Sequence, residues 1–138
     1  TILPNREVNM APKEEVYKRI YDKMNRVLNR LEGARTVFSS QGEPSLVVEH
    51  VEHDSYRIGQ YFEPASGERL ALPEMLVRVD SAAGRAEALY YRHDTLGVFN
   101  EVYYQDKGEF LTDIKEQNQQ NRFLDQWLTN LEQTGYFR

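Results

Sequence analysis

Between residues 35 and 105 the chain alternates short β-rich runs with links made of turn residues, and those links constrain the fold more than anything else. The runs are 35–39, 45–52, 56–62, 74–80, 86–92 and 98–104, separated by QGEP, HDS, EPASGE, SAAGR and HDTLG. Glycine, proline, aspartate and serine turn a chain cheaply. Parallel pairing needs a crossover of a dozen or more residues, usually helical. None of these links holds a crossover helix, so neighbouring strands pair antiparallel and form a β-meander of five to six strands.

Helical patterns flank the meander. In PKEEVYKRIYDKMNRVLNRLEG, Val16, Ile20, Met24, Val27 and Leu31 recur at three- and four-residue spacing, which makes one helix face apolar. Pro12 suits the first turn, Glu14 and Glu15 favour the positive end of the helix dipole, and Gly33 offers a C-cap. A second helix is predicted over 112–133. Asp113 and Glu116 resemble a capping box at its start, and Gly135 closes it. Two helices can cover one face of such a sheet, which predicts an α+β domain built as a two-layer sandwich. A chain of 138 residues fits one domain, expected over 12–138 behind a flexible segment at 1–11.

Composition removes several function classes. No cysteine is present, which excludes disulfides, zinc-thiolate sites, iron–sulfur clusters and cysteine nucleophiles. The net charge of -5 argues against non-specific nucleic-acid binding, which needs clustered lysine and arginine. No run approaches the roughly 20 apolar residues of a membrane-spanning helix. The opening TILPNREVNMAPKEE lacks a signal-peptide pattern, and Met10 before Ala11 and Pro12 is a candidate native start. The expected location is cytoplasmic, with no membrane and no nucleic-acid partner.

Catalytic and metal motifs are sparse. GxSxG, GxxxxGK[ST], GxGxxG and HExxH patterns are absent. His50 and His53 lie three apart, which puts them on opposite faces of a continuing strand, so they converge only across a turn. Neither a metal site nor a cofactor is expected.

The polar residues that invite a site lie elsewhere. Arg78 and Asp80 share one face of their strand, and Glu87 occupies a comparable row across the SAAGR turn. Arg78 and Glu87 fit an ordinary cross-strand ion pair, and they also fit a site in which Arg78 grips an anion bidentately. Tyr90, Tyr91, Tyr103 and Tyr104 form two Tyr-Tyr pairs, so each sheet face receives one tyrosine per strand. A set left uncovered by helices is a candidate contact surface.

The most unusual stretch is KEQNQQNRFLDQWL. The apolar sector carrying Phe123, Leu124, Trp127 and Leu128 continues backward through Gln120, with Gln117 and Asn121 flanking it and Glu116 one turn behind. Either the first two turns overhang solvent, or they pack and their amides find partners, because an unpaired buried amide costs about 1–3 kcal/mol. Arg78 and the tyrosine hydroxyls are the candidate partners.

The segments LPEMLVRVDSAAGRAEAL and QNRFLDQWLTNLEQTG resemble the YqiB-like family of small proteobacterial proteins, a domain of unknown function. The matching residues are Leu72, Pro73, Met75, Val77, Arg78, Ala86 and Glu87, then Gln119, Asn121, Phe123, Leu124, Trp127, Leu128, Leu131 and Gly135. Asp113 and Lys115 stand two residues too far upstream for the family's Asp-x-Lys pattern. The resemblance implies a bacterial, cytoplasmic protein and brings no activity with it. The leading expectation is a small binding or interaction domain for a small anionic ligand or a protein partner. Its candidate binding residues are Arg78, Glu87, Tyr91, Gln117, Gln120 and Asn121. The alternatives are an enzyme on a small anionic or nucleotide-like metabolite, with Glu87 or Asp80 as acid–base, and a structural homodimer built on exposed tyrosines.

Overall fold

The computed structural model describes residues 2–138, with side chains described from Lys13 onward. Helix α1 (Ile2–Leu28) is followed by β1 (Arg35–Phe38), β2 (Leu46–Glu52), β3 (Ser55–Phe62), β4 (Leu70–Asp80), β5 (Arg85–His93) and β6 (Val98–Glu101). These six strands form one sheet in sequence order, each paired antiparallel with the next. Two further strands, β7 (Tyr103–Asp106) and β8 (Glu109–Thr112), make a separate hairpin, and helix α2 (Ile114–Thr134) ends the domain. The expected α+β architecture of helix, meander and helix is therefore present. The flexible segment expected at 1–11 falls on side chains outside the described residues.

Strand alternation decides which face is covered. Leu46, Val48, Ile58, Met75, Val77 and Val79 point to one side and are buried against Ile20, Met24 and Val27 of α1 and Leu124, Leu128 and Leu131 of α2. Ala86 and Ala88 lie on the same face of β5, beneath α1, which contacts β5 more than any other strand. Side chains this small let the helix come close to the sheet. The two helices are also joined by charge. Asp125 takes Arg19 at 3.1 Å and Lys23 at 2.5 Å, and Glu132 takes Arg26 at 2.5 Å.

Two local expectations change. Gly33 was a candidate C-cap, but α1 closes earlier through tight turns, Arg30 N to Val27 O at 3.0 Å and Leu31 N to Leu28 O at 3.2 Å. Gly33 instead adopts φ +84° and redirects the chain into β1. The last predicted strand, 98–104, is really two. Val102 breaks it, fully buried, with its N–H on Leu89 O and its carbonyl accepting from Asp113 N. The chain then turns at Lys107 and Gly108, both at positive φ as in a type I′ hairpin, to build β7 and β8.

β6 pairs only with Tyr90–His93, so the first half of β5 has no neighbouring strand on that side, and the first turns of α2 pack onto this edge. Asn121 Oδ1 accepts from the Ala88 backbone N–H at 2.7 Å, and Gln120 Nε2 donates to Asn100 O at 2.9 Å. The first turns of α2 are thus packed rather than solvated. Asn121→Ala leaves a buried backbone N–H unpaired, and stability from urea unfolding is expected to drop by about 1–3 kcal/mol. Hydrogen exchange at the Ala88 amide is expected to accelerate in the same variant.

Candidate functional site

Five of the six residues singled out from sequence fall into two groups, and Asn121 stands apart from both. Arg78 and Glu87 sit side by side on β4 and β5 with Arg78 Nη2 donating to Glu87 Oε2 at 2.8 Å, which makes the cross-strand ion pair. Glu87 also accepts from the Tyr103 hydroxyl of β7. Gln117 Nε2 donates to that hydroxyl at 3.1 Å, and Lys13 Nζ donates to Gln117 Oε1 at 3.2 Å. One polar chain therefore ties the β7–β8 hairpin to the sheet and both helices. Gln117 found its partner in a tyrosine hydroxyl, as anticipated, while Arg78 touches none of the amides. Asp80, the other candidate acid–base, accepts from Ala83 N at 3.1 Å and closes the β4–β5 turn.

The second group lines a groove between β6 and α2. Tyr91 and Phe123 meet edge to face with centroids 5.2 Å apart and form an apolar wall with Val98. Asn100, Glu116, Gln119 and Gln120 form the polar side of this space of about 230 Å3. A second depression of about 300 Å3 shares Asn100 and Glu116 and adds Phe99, Glu101, Tyr104 and Asp113. Gln120 is 3% exposed, and both its Nε2 contacts, to Asn100 O and to Glu116 Oε1 at 3.1 Å, are made within the groove. Its Oε1 is buried and accepts no hydrogen bond among the described residues. Asn121 stays outside the groove, committed to β5.

A third constellation lies on the sheet face that the helices leave open, and sequence reading missed it. Glu74 sits mid-sheet on β4, opposite Gly59 and Arg92, and is 6% exposed. Its two carboxylate oxygens accept from the Tyr61 and Tyr90 hydroxyls, each at 2.6 Å. Arg57 and Arg92 approach within 4.0 and 3.9 Å and balance its charge. Arg92 in turn grips Asp94 bidentately at 2.8 and 3.1 Å. Tyr61 reaches Glu74 by lying across Gly59, where a Cβ would come 2.5 Å from the phenol oxygen. The signal was a glutamate in an otherwise apolar strand, LPEMLV, with a glycine in the run before it. Register alone brings those two together.

Among the described residues the histidines gather no ligand set. His50 stacks on Tyr56 with centroids 4.7 Å apart, and its Nε2 lies 2.9 Å from His53 O.

The family model described as Domain of unknown function (DUF6908) matches residues 15–137. The chain belongs to this family. The match takes in every residue of the groove and of the Glu74 cluster, and nothing in it links the chain to the YqiB-like family. No curated protein and no solved structure matches the chain.

The environment of the phenols sets the behaviour of this DUF6908 chain in alkali. Burial, then the hydrogen bond to Glu74, pushes Tyr90 up to about 12, and the same two causes push Tyr61 higher still. Burial, with Glu87 nearby, pushes Tyr17 up to about 12. An unfolded phenol ionises near the ordinary value of about 10. A raised phenol contributes stability that is fully present below pH 10 and lost as pH climbs through about 12. Urea unfolding is expected to show stability falling across that window. In Glu74→Gln, phenolate absorbance is expected to appear at lower pH, because the carboxylate that holds back Tyr61 and Tyr90 is gone.

Proposed function

We propose that this domain is a binding module whose ligand presents a cationic group, an amine or guanidinium, to the groove between β6 and α2. The carrying observation is the lining of that groove. Glu116 is the groove's charged residue, and the depression that shares it adds Glu101 and Asp113, with no lysine or arginine lining either space. Tyr91 and Phe123 give the groove its aromatic surface, and Phe99 and Tyr104 give the depression its own. Aromatic faces and carboxylates together attract a cation with an apolar stem. The unpaired Gln120 Oε1 adds a buried acceptor that a donor ligand would satisfy. The anionic ligand expected from Arg78 has less support, since that guanidinium is already paired with Glu87.

The same chemistry can arrive as a free polyamine or as an arginine side chain of a protein partner. Trp127 reports on the site, because its ring centroid lies 5.8 Å from that of Phe123. Titration with spermidine and with N-acetyl-arginine amide, followed by Trp127 emission, is expected to saturate and to weaken with added salt. Glu116→Gln and Phe123→Ala are each expected to weaken binding about two- to fivefold, from ion-pair and cation–π contributions of about 0.5–1 kcal/mol. Saturation with glutarate instead, or with no probe at all, overturns the reading. Preference for the arginine amide favours a protein partner, and preference for spermidine favours a free amine.

A further inference from the structure

The open sheet face carries a further depression, of about 310 Å3, which holds arginines where the groove holds none. It is lined by Arg35 and Val37 of β1, Ser45, Val47 of β2, Tyr61 of β3, Glu63 and Arg69. Two arginines line it with one carboxylate, Glu63, and a second carboxylate, Glu49, stands opposite Arg35 in the β1–β2 register and 4.0 Å from Arg69. From this cluster we infer a binding site for a phosphate-class oxyanion, held by Arg69 and Arg35 with the Ser45 hydroxyl.

The site is built from the sheet upward. Glu74, buried beneath the face, fixes the Tyr61 hydroxyl at 2.6 Å, and Gly59 leaves the space in which the Tyr61 ring can lie flat enough to reach it. The Arg69 guanidinium then rests on that ring, its central carbon 3.7 Å from the centroid. A guanidinium stacked this way keeps its in-plane N–H groups directed outward at its edges, where an oxyanion accepts two parallel hydrogen bonds. Among the described residues Glu49 is the carboxylate that comes within 4.0 Å of it, beyond hydrogen-bond reach. Among the described residues neither Arg35 nor Arg69 has a side-chain hydrogen bond, whereas Arg57, Arg78 and Arg92 all do. The arginines of this face thus divide into those that hold the sheet together and two that remain available.

A tetrahedral oxyanion suits the cluster better than a carboxylate. Two guanidinium forks and a hydroxyl offer donors in excess of what two coplanar oxygens can take, and a phosphate presents three or four. This site lies on the face opposite the helices and is independent of the cation-binding groove.

The test uses the full chain with pyrophosphate as probe and malonate as the carboxylate control. Binding is read by calorimetry and by the arginine Nε–H resonances. Pyrophosphate is expected to saturate, moving the Arg69 and Arg35 resonances and leaving those of Arg78 and Arg92 in place. Arg69→Ala is expected to weaken binding about tenfold or more, as loss of a charge-assisted bidentate contact implies. Arg69→Lys keeps the charge but loses the fork and most of the stack, and is expected to recover little. Arg69 is an exposed side chain, so both variants should melt with the parent, and Glu116→Gln should bind pyrophosphate as the parent does. The inference is overturned if pyrophosphate does not saturate at millimolar concentration, if malonate binds as tightly, or if Arg69→Lys binds like the parent.

Discussion

A sheet edge left open inside the domain organises the rest of the structure. When β6 ends at Glu101, having paired only with Tyr90–His93, the first half of β5 and its Ala88 N–H have no neighbouring strand on that side. Buried backbone groups without partners are costly, so the chain must bring donors and acceptors to them. It does so with Val102, whose N–H takes Leu89 O, and with Asn121 and Gln120 from the first turns of α2. The amides therefore sit on the inward face of the helix because the sheet there demands hydrogen bonds rather than apolar contact.

That same repair generates the groove. Drawing the start of α2 onto the β5–β6 edge places Phe123 against Tyr91 and sets Glu116 and Gln119 beside β6. The Asp113 cap, which accepts from Glu116 N, brings a further carboxylate to the same rim. A site assembled from a structural necessity carries a polar and an aromatic wall at once, since the helix changes character at Phe123. The β7–β8 hairpin, anchored through Tyr103 to Glu87 and Gln117, frames the other side of this junction.

The open face is governed by a different constraint. A carboxylate buried in mid-sheet is tolerable only with donors and counter-charges around it. Glu74 collects two phenols and two guanidinium groups, drawn from β3 and β5 on either side. The consequence is a face made rigid by polar contacts where the opposite face is held by apolar packing. Arg69, lying on the immobilised Tyr61 ring, gains order without giving up its hydrogen-bonding edges.

The sequence by itself determined the helix–meander–helix layout, the antiparallel pairing, the division of Tyr90 and Tyr91 between the sheet faces and the Asp113 and Gly135 caps. All of these rest on contacts within a few residues or on the two-residue period of a strand, so local pattern carries them. It left open whether the α2 amides faced solvent, because that depends on β6 departing at Val102, a break without a proline or glycine to mark it. The Lys107–Gly108 turn is not among the links read from the sequence, and Tyr103 and Tyr104 of the hairpin fall inside the predicted 98–104 strand. The Glu74 cluster was invisible for a stronger reason. Gly59, Tyr61, Glu74, Tyr90 and Arg92 meet only once three strands have a register, and their partnership follows from tertiary geometry that no single stretch of the chain encodes.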